Sequence, residues 1–218
     1  AGKFMKTYHG PEFRLSARYA FTDNFSVKAG FNSMRQYIHK LSNTVIMSPT
    51  DTWKLSDVNI KPQRGWQAAA GLYLNSPSGI WEYSVEGYYK RMSDYLDYRG
   101  GAKLLMNHHI ETDVINTQGH AYGVELQVKK QVGKLNGWMS YTYSRTFLRQ
   151  NDKRIEKPVN NGDWYPTEYD KPHDFKFVGN YKFTHRYSMS INVDYSTGRP
   201  TTIPAGQYYD ESTQSMRV

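Results

Sequence analysis

Chemistry needs reactive side chains at workable spacings, and few residues of this chain qualify. His108 and His109 are adjacent histidines. Neighbours on a strand point to opposite faces, and no Asp or Glu stands at a zinc-motif spacing on a helix, so no metal site is expected. Glu82 and Glu86 share a strand face but stand roughly 13 Å apart, beyond the ~5–9.5 Å that a hydrolytic carboxylate pair requires. No Ser lies in a nucleophile elbow, and Gly71, Gly87, Gly100, Gly101 and Gly119 form no phosphate-cradling loop. Cysteine is absent, which excludes a thiol nucleophile, thiolate-bound zinc and a disulfide scaffold. The expectation is a chain that is not an enzyme, with no catalytic residue, metal or cofactor. One cluster suits recognition instead. Trp164, Tyr165 and Tyr169 stand beside Asn160, Asn161 and Asp163 on a long polar segment. Rings among amides and carboxylates on a loop suit a ligand surface, so these three rings are the candidate ligand contacts.

The elements that must position them alternate with period two. Strands are expected near 11–21, 25–35, 63–75, 80–96, 117–131, 137–147, 173–183 and 187–197. One face of these segments carries no charge: Phe13, Leu15, Ala17 and Tyr19 in the first, for example, and Met189, Ile191, Val193 and Tyr195 in the last. The other face carries Glu12, Arg14, Arg18, Lys28, Glu82, Glu86, Lys90, Glu125, Lys129, Asp174, Lys176, Lys182 and Asp194. Such segregation requires the first face to meet lipid or a second sheet. Short turns at Thr22–Asn24, Ser76–Gly79, Gly133–Asn136 and Thr184–Arg186 alternate with long connections at about 36–62, 97–116 and 148–172. That rhythm belongs to an up-and-down barrel. Helical turns are expected only within loops, at Ser56–Ile60 and Gly101–Ile115.

Composition narrows the choice. No run approaches the ~18–20 apolar residues of a membrane helix, and no secretory signal pattern opens the chain. Aromatic residues make up 15%, with 19 Tyr, 9 Phe and 5 Trp. Phe21, Phe25, Trp81, Phe183 and Tyr187 fall beside the short turns, where an interfacial girdle sits. A soluble sandwich core would favour tightly packed Val, Ile and Leu, but here the apolar face is ring-rich and holds one Ile. The formal net charge is +8. Acids and bases are nearly balanced on the polar face, so nucleic acid is not an expected partner. The excess lies in turns, strand ends and loops: Lys54, Lys61, Arg64, Arg91, Arg99, Lys130, Lys134, Arg145, Arg149, Lys153, Arg154 and Lys157. These read either as contacts to lipopolysaccharide phosphate or as a solvated surface.

Words in the sequence then carry a resemblance. Ala121-Tyr122-Gly123-Val124-Glu125-Leu126 followed by Ser140-Tyr141-Thr142-Tyr143-Ser144 resembles a recurrent barrel hairpin of TonB-dependent outer-membrane receptors of Bacteroidetes type. Trp164-Tyr165-Pro166, Tyr169-Asp170-Lys171-Pro172-His173-Asp174 and Tyr195-Ser196-Thr197-Gly198-Arg199-Pro200 are similar to the loop and strand ends that follow. The match is strongest over about Thr117–Pro204. The resemblance implies an all-β, antiparallel, up-and-down transmembrane barrel in the cell outer membrane. Residues 1–218 would supply about eight of its 22 strands, without plug or TonB-contacting segment. It implies import of a scarce nutrient (metal chelate, vitamin or glycan). The implied partners are outer-membrane lipid and lipopolysaccharide, the protein's own plug, the TonB complex and a possible surface lipoprotein. The alternatives are a complete eight-stranded barrel with a structural or adhesion role and a soluble β-sandwich binding module.

Overall fold

The alternating segments become one antiparallel sheet in the computed structural model, which describes residues 6–41, 52–58, 60–98, 114–152, 158–201, 208–210 and 215–217. Its long strands are β1 (Phe13–Ala20), β2 (Phe25–Gln36), β5 (Gln63–Asn75), β6 (Trp81–Tyr98), β7 (Val114–Lys130), β8 (Leu135–Arg149), β10 (His173–Lys182) and β11 (Ser188–Ser196). They pair in the order β1-β2-β5-β6-β7-β8-β10-β11. Each long strand meets its sequence neighbour, the meander that hairpin connections produce.

The observed fold adds small elements to the eight expected strands. A ninth strand, β9 (Tyr165–Pro166), joins the sheet by pairing with the loop end of β8. The first long connection holds its own hairpin, β3 (Ile38–Leu41) with β4 (Thr52–Leu55). A further ribbon pairs β12 (Tyr208–Asp210) with β13 (Ser215–Arg217). The helical turn expected at Ser56–Ile60 is not formed. Asp57 closes a turn there instead: its carboxylate accepts the Ile60 N–H at 2.8 Å, and its own N–H donates to the Ile60 carbonyl at 3.0 Å. A short polar side chain that bonds local backbone competes with the helix. The other expected helical turn lies outside the described residues, apart from Val114 and Ile115, which open β7. Among the described residues no helix is long and apolar enough to cross a membrane, which says nothing about strands.

Register decides the two faces. Val27, Leu72, Val85, Leu126, Tyr141, Phe175 and Tyr195 stand in one row across seven strands. The neighbouring rows on that face are equally apolar. A one-residue slip in any pair would mix the faces, so the pattern fixes the pairing. Exposure is inverted relative to a soluble protein. Leu15 is 67% exposed, Leu72 48% and Leu126 41%, while much of the polar face is half-buried. Among the described residues no second sheet covers the apolar face. A sandwich would bury it, so lipid is the environment that satisfies it.

Compact apolar packing occurs instead at the long-loop end. Leu41, Ile60 and Val114 are buried together with Leu96 against them. Asp94, at φ 56°, lies at a bulge between β6 and β7. The bulge shifts the parity of β6, so Asp97 shares the polar face with Ile115. Beside this core, the His39 ring is 2% exposed and its Nε2 meets Ser56 Oγ at 3.0 Å. Burial holds its pKa below the usual histidine value. The neutral ring therefore stabilises the β3–β4 hairpin above about pH 6.5, and that contribution is lost as pH falls through the lowered folded value. The protection factors of residues 38–41, taken against the intrinsic exchange rate at each pH, are expected to fall between pH 7.5 and pH 5, with little change in those of the central strands.

Candidate functional site

The apolar face ends in aromatic rings at both levels. At the turn end, Phe21 stacks on Phe25 at 5.5 Å, Trp81 on Tyr83 at 6.2 Å, and Tyr181 meets Phe183 edge-on at 4.7 Å. At the loop end a chain of rings crosses the sheet. Phe13 meets Phe31 at 5.7 Å, Phe31 meets Trp66 at 5.9 Å, Trp66 meets Tyr89 at 5.5 Å, and Tyr89 meets His120 at 6.3 Å. His120 continues to Phe147 at 5.3 Å. From Trp81 to Arg91 of β6 is ten residues, about 33 Å along the strand and about 25 Å along the normal at a tilt near 40°. That matches the apolar band of an outer-membrane barrel.

The opposite face is a wet wall of paired charges and small residues. Lys129 Nζ lies 3.5 Å from Glu82, and Lys176 lies 3.4 Å from Asp174. The Lys28 ammonium stands over the Tyr73 ring at 5.6 Å. Gly123 is constrained by its neighbours: a Cβ there would meet the Tyr143 carbonyl at 2.8 Å and the Tyr88 ring at 2.9 Å. The ring lies where a side chain would otherwise stand, covering bare backbone. Among the described residues no group of three or more His, Cys, Asp or Glu gathers to hold a metal. His108 and His109 lie outside the described residues.

The loop bearing the three candidate ligand residues is held on both faces. β9 extends the sheet on β8, with Tyr165 opposite Leu148 and Pro166 opposite Phe147. Strand alternation then separates adjacent rings. Trp164 meets His120 edge-on at 4.3 Å, and the Arg149 guanidinium lies 5.6 Å from its ring centre. It therefore joins the loop-end ring band on the apolar face. Tyr165 points the other way and donates its hydroxyl to Asp97 Oδ2 at 2.7 Å. Tyr169 follows in a turn and is 54% exposed. The structure thus places the three on one segment without gathering them around one point.

Residues that the sequence did not single out fasten this segment. Gln150 donates to Asp97 Oδ2 at 3.1 Å and accepts the Val159 N–H at 2.9 Å. Burial, then the Asp97 hydrogen bond, raises the Tyr165 pKa above the ordinary value of 10.0. Asn160 and Asn161 adopt left-handed backbone at φ 51° and 53°, which asparagine tolerates well, and Asn160 Nδ2 donates to the Trp164 carbonyl. Asp97 and Tyr165 lie 68 residues apart in sequence, so local spacing carries no signal for this contact. Tyr165→Phe removes one half-buried hydroxyl donor to a charged group. The expected cost is about 1–2 kcal/mol, read as faster hydrogen exchange over Val159–Pro166 with the long strands unchanged.

This loop platform stands above a sheet with one lipid-compatible face and one polar face. The matching family model is described as TonB dependent receptor-like, beta-barrel, and covers residues 2–217. A search of curated proteins found no match. The family is one of outer-membrane transporters rather than enzymes. Sheet order, inverted faces, twin ring bands and the family match agree: the chain belongs to the TonB-dependent receptor-like β-barrel family.

Proposed function

We propose that this chain forms the wall of an outer-membrane importer that takes up a scarce nutrient (a metal chelate, vitamin or glycan) with energy delivered through TonB. The observation that carries the reading is the bare apolar face, continuous across eight strands and ringed at both ends. The polar face lines the lumen, and a plug outside residues 1–218 gates it. The long-loop end faces outward and captures substrate, with Tyr169 as the exposed ring offered to it. Trp164 and Tyr165 shape the same loop from its two sides. We also propose a receptor of Bacteroidetes type, on the strength of the hairpin words around Tyr122 and Tyr141, with a surface lipoprotein as a partner on the long loops.

The test starts from outer membranes. Eight strands occupy 25.4 kDa, so a 22-stranded wall scales to about 70 kDa before any plug. A native polypeptide of that mass or more, whose uptake of labelled nutrient stops when the proton-motive force is collapsed, supports the importer. A native mass near 25 kDa would overturn it in favour of a small closed barrel.

A further inference from the structure

Two Asn-Gly steps occur in the sequence, Asn136-Gly137 and Asn161-Gly162. At such a step the asparagine side chain can cyclise onto the main chain, because glycine has no Cβ to shield its nitrogen and restricts the backbone least. The fold treats the two steps oppositely.

Asn136 and Gly137 lie within β8. Asn136 pairs with Asn180 of β10, and its Oδ1 accepts the Asn180 Nδ2–H at 3.3 Å. Gly137 is paired on both sides, with Lys130 of β7 and Gly179 of β10. The ladders hold this backbone extended, so cyclisation there must wait for the strands to open. Asn161 and Gly162 lie on the loop between β8 and β9, in left-handed backbone at φ 53° and 82°. Asn161 is exposed. Its side chain makes no hydrogen bond among the described residues, whereas Asn160 Nδ2 donates to the Trp164 carbonyl at 3.1 Å. The Asp163 N–H donates to the Asn160 carbonyl at 2.9 Å. Both of these bonds bridge the Asn161–Gly162 peptide link.

We propose that Asn161 is a site of spontaneous deamidation, and that its product unfastens the turn carrying Trp164. The Gly162 nitrogen, deprotonated by hydroxide, attacks Asn161 Cγ. A C–N bond closes a succinimide ring as the Cγ–Nδ2 bond breaks and ammonia leaves. Water then opens the ring at either carbonyl and leaves a carboxylate. The sum is one water consumed and one ammonia released, with no oxidant or reductant. Opening at the backbone carbonyl gives isoaspartate, which adds a methylene to the main chain between the anchors of both bridging hydrogen bonds. Either opening places a new negative charge two residues from Asp163.

The test incubates the folded native polypeptide at mildly alkaline pH, in ordinary water and in water enriched in oxygen-18, and maps its peptides by mass. The peptide holding Asn161 is expected to gain about 1 Da in ordinary water and about 3 Da in the labelled water. The peptide holding Asn136 is expected to convert at least about tenfold more slowly, because it reacts only from an opened strand. Losing the two bridging hydrogen bonds is expected to quicken proteolysis within 158–164 about fivefold. Asn161→Gly keeps the left-handed backbone and removes the amide, so its loop is expected to resist protease equally before and after incubation. No conversion at Asn161, or equal conversion at the two sites, overturns the modification site. Conversion at Asn161 with unchanged proteolysis overturns its hold on the loop, as does equal quickening in Asn161→Gly.

Discussion

Leu126→Arg is expected to destabilise the barrel by about 2–4 kcal/mol, whereas Gln127→Arg, one residue along, is expected to cost no more than about 0.5 kcal/mol. Leu126 lies midway between the ring bands, between Val85 and Tyr141, on the face that meets lipid. A guanidinium there must lose its water or drag water into the hydrocarbon. Gln127 pairs with Ser84 and Ser140 on the wet face, where a new charge stays hydrated. Denaturant unfolding of the native barrel in bilayers measures both. Equal costs for the two substitutions would mean that the faces are not lipid and lumen. A large cost for Gln127→Arg alone would mean that they are reversed.

Asp170→Ala is expected to release the loop that carries Trp164, Tyr165 and Tyr169, at a cost of about 2–4 kcal/mol. Asp170 is 3% exposed. One carboxylate oxygen accepts the Arg145 Nε–H at 2.9 Å and the other the Thr146 N–H at 2.7 Å. Its own N–H donates to the Thr167 carbonyl at 3.0 Å, and the Thr167 N–H reaches back to Thr146 at 3.0 Å. Hydrogen bonds to a charged group contribute about 1.5–3 kcal/mol each, and truncation leaves both donors without that acceptor. The Arg145 side chain is 28% exposed, so water recovers part of the loss and the cost falls short of a fully buried pair. Limited proteolysis within 158–170 is expected to quicken at least tenfold while the long strands stay protected. Asp170→Asn keeps an acceptor for Thr146 and is expected to lose about half as much. A loop that stays protected in Asp170→Ala would show that β9 pairing alone holds it.

The same residues show which statements a linear reading supports. Alternation is a local property. Val27, Leu72, Val85 and Leu126 each sit two positions from another uncharged residue, and the face they make follows from strand geometry alone. The resemblance in the words around Tyr122, Tyr141 and Asp170 named the family that the match over residues 2–217 bears out. Loop structure was harder to read. Ser56–Ile60 has helical length, but Asp57 captures the Ile60 N–H. The bulge at Asp94 changes which face Asp97 joins, and no nearby residue announces that change.

Trp164, Tyr165 and Tyr169 read as one cluster because they are close in the chain. Tertiary structure divides them, since pairing with β8 forces neighbours to opposite faces: Trp164 to His120, Tyr165 to Asp97. The arginines show the converse. Arg64, Arg91 and Arg149 are scattered through the sequence and reach neighbouring rows of one face only when register stacks their strands. The sequence by itself determined that a charge-free face exists and how many long strands carry it, because period-two patterning costs nothing to read locally. The tertiary structure alone decided which scattered side chains meet above the ring band, because cross-strand neighbours are set by register and bulges rather than by distance along the chain.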